Sequence, residues 1–159
     1  MTISDSAGFS VPPGDEIVSD SRCFVCGMGN MGGLRVRFFR AGDDRAIAEC
    51  KPDKAFTGYD GLLHGGVASS LLDEIMIKAV LAHGKLVVTA KMTVRYHRPV
   101  LMDSNLILKG KIVGQRGRIF DTEGVLTDSN GQVLTSATGR YVELSGARRE
   151  QLMRSLGRD

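Results

Sequence analysis

From Leu34 the chain alternates: LRVRFFR sets apolar and basic residues in turn for five positions, the pattern of a half-buried strand. The turn-rich AGDD follows, and RAIAECK, residues 45–51, completes the expected hairpin before Pro52 closes it. Val67 to Leu81 is mostly apolar or small and long enough for a helix, with His83-Gly84 as its C-terminal cap and a base near the negative end of the dipole. After the helix the period becomes two. LVVTAKMTVRYHR places Leu86, Val88, Ala90, Met92, Val94 and Tyr96 on one face and Thr89, Lys91, Thr93, Arg95 and His97 on the other, until Pro99. NLILKGKIV, RIFDTEGVLT and QVLTSATGRYVEL predict three more strands, joined by GQRG and then by DSNG with its Asn-Gly. The tail GARREQLMRSLGRD suits a short, basic, amphipathic helix.

The order is two strands, one apolar helix, then four strands expected as an antiparallel meander. A helix apolar on nearly all sides must be buried on nearly all sides. The predicted layout is therefore α+β: a curved antiparallel sheet wrapped around one central helix, in a single domain over residues 1–159. Met1 to about Ser21 is expected as a loosely ordered lead-in, and 146–159 as a C-terminal helix or tail. The apolar (42%) and charged (25%) fractions are those of a soluble globular chain. The net charge of +3 is spread along the sequence, which points away from nucleic acid and would suit a small anionic ligand. No apolar run approaches the roughly 18 residues of a membrane span. MTISDSAGFSVPPGDE has neither the basic start nor the apolar stretch of a signal peptide, so a cytoplasmic location without membrane contact is expected. Three cysteines, an odd number, argue against a disulfide framework.

The chemistry concentrates in GLLHGGVASSLLDE, residues 61–74. His64-Gly65-Gly66 has two readings. One is a tight turn that the histidine caps. The other is a binding turn, because glycines allow close approach and the first amides of a helix are unpaired at its positive end, where an oxyanion would be held. Two acids follow. Glu74 has Lys78 four residues on, the spacing of a surface ion pair. Asp73 shares its stripe with Gly66, Ser69, Ser70, Met76, Ile77 and Val80, none of them basic. A carboxylate on an otherwise apolar face usually has a functional reason.

His64 and Asp73 cannot meet within one chain. Nine helical residues rise roughly 13 Å, whereas groups acting on one atom stand about 3 Å from it. If both serve one substrate, two copies of the helix must run antiparallel across a two-fold axis, in an obligate dimer with two equivalent sites.

FTGYDGLLHGGVASSLLDE followed by VTAKMTVRYHRPV, with CFVCGMGNMGGLRVRFF upstream, resembles the hot-dog-fold acyl-CoA thioesterases of the PaaI-like branch, from about Cys23 to Leu144. The resemblance implies a hot-dog fold and hydrolysis of an acyl-CoA thioester to free acid and CoA, by a homodimer or a tetramer. Asp73 would be general base or nucleophile. Gly65, through its N–H, would polarise the thioester carbonyl for the Asp73 of the other subunit, and His64 would help hold that turn and the carbonyl. Thr89 matches the Ser/Thr that orients water beside the acid. Gly66, Arg95 and Arg116 are the candidate substrate contacts; Lys91, Arg95, Arg116 and Arg118 could meet CoA phosphates, and the alternative for each is an ordinary solvated sheet face or turn. No metal or redox cofactor is implied. Many members carry Asn or Gln six or seven residues before the histidine; here those positions are Gly58 and Thr57.

Cys23-Phe-Val-Cys26 has the spacing of zinc ligands, but a structural site wants a second pair and Cys50 is the other thiol. Small buried thiols are the reading preferred here. His83 and His97 suit a helix cap and a strand end. Two other functions are compatible with the sequence: a hot-dog protein that binds acyl-CoA without turnover, as sensor or carrier, and a hydratase of enoyl-CoA, whose Asp-His motif is not found.

Overall fold

The computed structural model describes residues 16–156. Of the expected lead-in, residues 1–15 lie outside the described residues, as do the last three of the tail. Strands β1 (Phe38–Arg40) and β2 (Arg45–Cys50) precede helix α1 (Gly65–Ala82), and β3 (Val87–Tyr96), β4 (Leu106–Arg116), β5 (Ile119–Thr127), β6 (Val133–Glu143) and helix α2 (Gly146–Ser155) follow it. The strands form one six-stranded sheet in the order β1-β2-β4-β5-β6-β3, antiparallel at every junction. It curls around α1, the layout expected from the apolar helix.

The meander is only partly as expected. β4, β5 and β6 form it, but β3 pairs with β6 rather than β4 and closes the sheet at its far edge. At about 1.5 Å per residue the 18-residue α1 spans about 27 Å. It carries the chain from β2 across the sheet, so β3 lands on the opposite edge and β4 must return to pair with β2. β1 is also shorter than its alternation suggested. Arg35 has φ 52°, in the left-handed region, and the amides of Leu34 and Val36 bond to the carbonyls of Phe24 and Val25 instead of to β2.

The helix lies close because of a row of small residues across four strands. Ala46 pairs with Gly110, Gly110 with Gly124, and Gly124 with Ala137. A Cβ on Gly110 would stand 2.6 Å from the Ile75 carbonyl oxygen, and one on Gly124 3.1 Å from Met76 Cγ. Into this trough α1 buries Leu71, Leu72, Ile75, Met76 and Val80, all at 0% exposure. Burying each contributes about 2 kcal/mol before chain entropy is counted.

β3 does not keep a single period of two. Its register with β6 shifts between Thr89 and Lys91, a bulge at Ala90. The extra residue turns both Thr89, before it, and Tyr96, after it, toward α1, although strict alternation puts them on opposite faces.

The segment from Glu16 is tied down rather than loose. The Ile17 amide donates to the Phe38 carbonyl at 2.8 Å, and Ile17 is buried. The Lys78 ammonium donates to the Val18 carbonyl at 2.6 Å and to Ser19 Oγ at 2.9 Å. No helix among the described residues is long and apolar enough to cross a membrane.

Candidate active site

At the start of α1, His64 is the N-cap, with φ −59° and ψ 132°, and its Nδ1 accepts the Gly66 N–H at 2.9 Å. His64 therefore caps the helix and occupies the Gly66 amide, a geometry common to the capping and the binding readings of this turn. The Gly65 N–H is among those a helix leaves without an internal partner, and both glycines are exposed. Tyr96, from the end of β3, donates to the Gly65 carbonyl at 3.0 Å and also contacts Ser69 Oγ. It thereby fastens the first turn to the sheet edge. A cleft of about 290 Å³ lies beside this turn, lined by Leu63, Gly65, Ala68, Tyr96, Pro99 and Val100 among others.

Asp73 sits two turns further along, half-buried. Its Oδ1 accepts hydrogen bonds from Thr89 Oγ1 at 2.8 Å and from the Tyr141 hydroxyl at 2.9 Å. Among the described residues no donor meets Oδ2, which leaves that oxygen for a water or a substrate atom. Tyr141 is fully buried on β6, paired in register with Thr89 on β3. Burial, then the Asp73 carboxylate, holds its phenol well above the ordinary range, so it stays an O–H donor. The structure thus joins Thr89 to Asp73 and leaves His64, Gly65 and Gly66 as a separate group at the helix start.

Arg95 and Arg116 join neither group. Arg95 is exposed on the face of β3 opposite Tyr96, beside His97, whose Nε2 lies 2.7 Å from Ser136 Oγ. Arg116 is exposed at the β4–β5 turn. Arg118 donates to the Glu143 carbonyl at 2.7 Å. Seven and six residues before His64, Thr57 Oγ1 donates to the Lys54 carbonyl, and a Cβ on Gly58 would stand 3.0 Å from His64 Cα. The backbone at 58 is packed too closely on the N-cap to admit an Asn or Gln side chain unchanged.

Glu74 corrects the sequence reading. It does face Lys78, at 3.8 Å, but the pair is not at the surface: the two side chains are 14% and 2% exposed. The segment from Glu16 to Cys26 folds across that side of α1 and covers them. Burial pushes the Glu74 carboxyl up to about 7, with Cys23 nearby adding to the shift. Cys23 Sγ lies 3.9 Å from Glu74 Oε2, and the amides of Val25 and Cys26 each approach Cys23 Sγ at 3.4 Å. Hydrogen bonding from Cys26 holds the Cys23 thiol below its ordinary range, while Cys26 is pushed the other way. Cys50 stands apart on β2, its thiol raised to about 12 by burial. All three cysteines are free.

Sequence reasoning missed Tyr141 and Tyr96. The available signal was chemical: an inward tyrosine needs a partner for its hydroxyl, and Asp73 was the inward carboxylate lacking one.

A sheet curled around one apolar helix, with a glycine turn at its start and an acid at its middle, defines a hot-dog protein. Residues 60–135 match the family model of the thioesterase superfamily. It is 25% identical over 132 residues to the acyl-coenzyme A thioesterase THEM4 of Bos taurus, covering 82% of this chain and 54% of that one. Over 115 residues it is 25% identical to acyl-coenzyme A thioesterase 13 of Homo sapiens, covering 70% and 81%. The crystal structure of a thioesterase superfamily protein superposes with TM-score 0.73 at 31% identity, covering 77% of this chain and 60% of that one. The chain therefore spans about half the length of the bovine relative.

Proposed function

We propose that the chain hydrolyses an acyl-CoA thioester, as a PaaI-like homodimer or a tetramer of two such dimers, in the cytoplasm. The observation that carries this reading is Asp73, a carboxylate on the central helix held by Thr89 and Tyr141 with Oδ2 open. In the dimer, the Gly65 amide of one subunit faces the Asp73 of the other. The thioester carbonyl accepts from that amide, which stabilises the oxyanion as it forms. Asp73 Oδ2 takes the proton of a water whose oxygen attacks the carbonyl carbon, or attacks that carbon itself. The C–S bond then breaks and the CoA thiolate leaves; in the nucleophilic route the acyl–Asp73 anhydride that remains is hydrolysed by water to free acid and Asp73. His64 acts by holding the turn, and Arg95 and Arg116 contribute to CoA binding only from a neighbouring subunit or with the chain extended over the outer face. The names of the relatives support the substrate class, and the three free thiols suit a reducing compartment.

The test is Asp73→Asn with thiol release followed across a panel of acyl-CoAs. Turnover is expected to fall at least about a hundredfold; undiminished turnover sinks the mechanism. A second reading, acyl-CoA binding without hydrolysis, is favoured by one feature, the absence of an amide at Thr57 and Gly58. Tight binding with no thiol released from any member of the panel would select it.

A further inference from the structure

We propose that Cys23, Cys26 and Glu74 bind one thiophilic divalent metal ion, of the zinc class, which fastens the N-terminal segment to the central helix. The donor atoms of these three residues all lie within 4.8 Å of one another. A tetrahedral ion with metal–sulfur bonds of about 2.3 Å separates its sulfurs by about 3.8 Å. The observed cluster therefore needs at most about 1 Å of closure to take up such an ion, and the Cys23–Glu74 separation of 3.9 Å needs less.

Three features fit a ligand set better than a chance meeting of thiols. First, the turn is built to aim a sulfur: the amides of Val25 and Cys26 both point at Cys23 Sγ, as they do at a thiolate that a metal holds deprotonated. Gly27 completes the turn because a Cβ there would stand 2.5 Å from the Cys23 backbone. Second, the donor missing from the sequence pattern comes from another element. Glu74 divides its oxygens, Oε2 toward Cys23 and Oε1 toward Lys78. Third, the charges close. Two thiolates and a carboxylate carry three negative charges, which a divalent cation and the Lys78 ammonium balance in a site where Lys78 is itself buried. Binding releases the thiol protons to solvent, and water takes the fourth position. Glu74 follows Asp73 about 100° further round the helix, and its oxygens face Cys23 and Lys78 rather than Thr89, so the ion braces the helix without entering the reaction.

The full-length chain, reduced, stripped by chelator and given cobalt(II), will bind one ion per chain and show thiolate-to-cobalt charge-transfer absorption. Zinc will displace it stoichiometrically. C23S and C26S will each lose the absorption, and C50S will keep it. Removing even outer-shell partners costs metal sites 10- to 100-fold, so E74Q will weaken cobalt binding at least about tenfold. No charge-transfer band in the reduced wild-type protein overturns the site, as does a band that survives in C23S and C26S, or an E74Q affinity equal to the wild type. A loss of two hydrogens in mass without metal uptake overturns it in favour of a Cys23–Cys26 disulfide. Should a cysteine variant fail to fold, the wild type decides: zinc is expected to raise Tm and chelator to reverse it, and a Tm unmoved by either refutes the brace.

Discussion

Asp73 Oδ1 takes two hydroxyl hydrogen bonds, one from an exposed strand residue and one from a buried tyrosine, and together they fix the carboxylate's rotation. A hydrogen bond to a charged group is worth about 1.5–3 kcal/mol, so losing either donor is expected to lower kcat roughly 10- to 100-fold. Thr89→Ala and Tyr141→Phe should both show this in a thiol-release assay while KM changes little, since both hydroxyls donate to the Asp73 carboxylate. Tyr141→Phe should also lower Tm and Thr89→Ala should not, because Tyr141 is buried and Thr89 is exposed. A variant that lost KM alone would move its hydroxyl from positioning the acid to binding substrate. Asp73 was legible in the sequence from the apolar stripe around it. Its second donor was not, because nothing local to Tyr141 tells which of the inward positions on the last strand lies over the middle of the helix.

The helix and the later strands were legible as elements, since each carries its own period, but their neighbours were not. Strand order depends on where α1 delivers the chain, and that follows from its length and direction across the sheet. The Ala90 bulge was hidden for a related reason: a clean alternation of residue types continues through it, and only pairing with β6 reveals the extra residue. The same bulge makes Thr89 and Tyr96 both usable from one face. The small residues Ala46, Gly110, Gly124 and Ala137 looked like weak strand formers one at a time. In register they are the seat of the helix. Gly110→Ala sets a methyl against backbone at Ile75, which cannot rotate away. Overpacking of that kind costs about 2 kcal/mol, or about 5 °C in Tm for a chain of this length, measurable by calorimetry. Gly117→Ala, in an open turn with φ 58°, carries a strain of its own and is not the control; Gly32→Ala, with its nearest contact at 3.7 Å and no positive φ, is expected to leave Tm within about 1 °C. Equal losses at 110 and 32 would mean the trough does not seat the helix.

At the scale of the whole molecule, the two halves of the proposed site lie on one helix, about 12–13 Å of rise apart. One chain therefore holds both groups and cannot bring them to one carbon. β3 closes the sheet with an outer edge that pairs with no other strand among the described residues and exposes Val88 and Tyr96 there, a ten-residue edge of the kind that a second copy covers. Two variants separate the halves. Asp73→Asn removes the acid. Gly65→Pro removes the amide donor alone, for proline is well tolerated at the first helical position and His64 already has the extended backbone, ψ 132°, that a following proline requires. Each variant by itself is expected to retain under about one part in a hundred of wild-type turnover. Unfolded together in equal amounts and refolded, half of the dimers will be mixed. In each mixed dimer one site unites the intact Gly65 of one chain with the intact Asp73 of the other, so about a quarter of all sites, and of the activity, returns. Recovery to that level requires a site shared between subunits. If the mixture stays as inactive as its components although mixed dimers are seen by native mass spectrometry, amide and acid do not meet across the interface, and the glycine turn serves some purpose other than the reaction at Asp73.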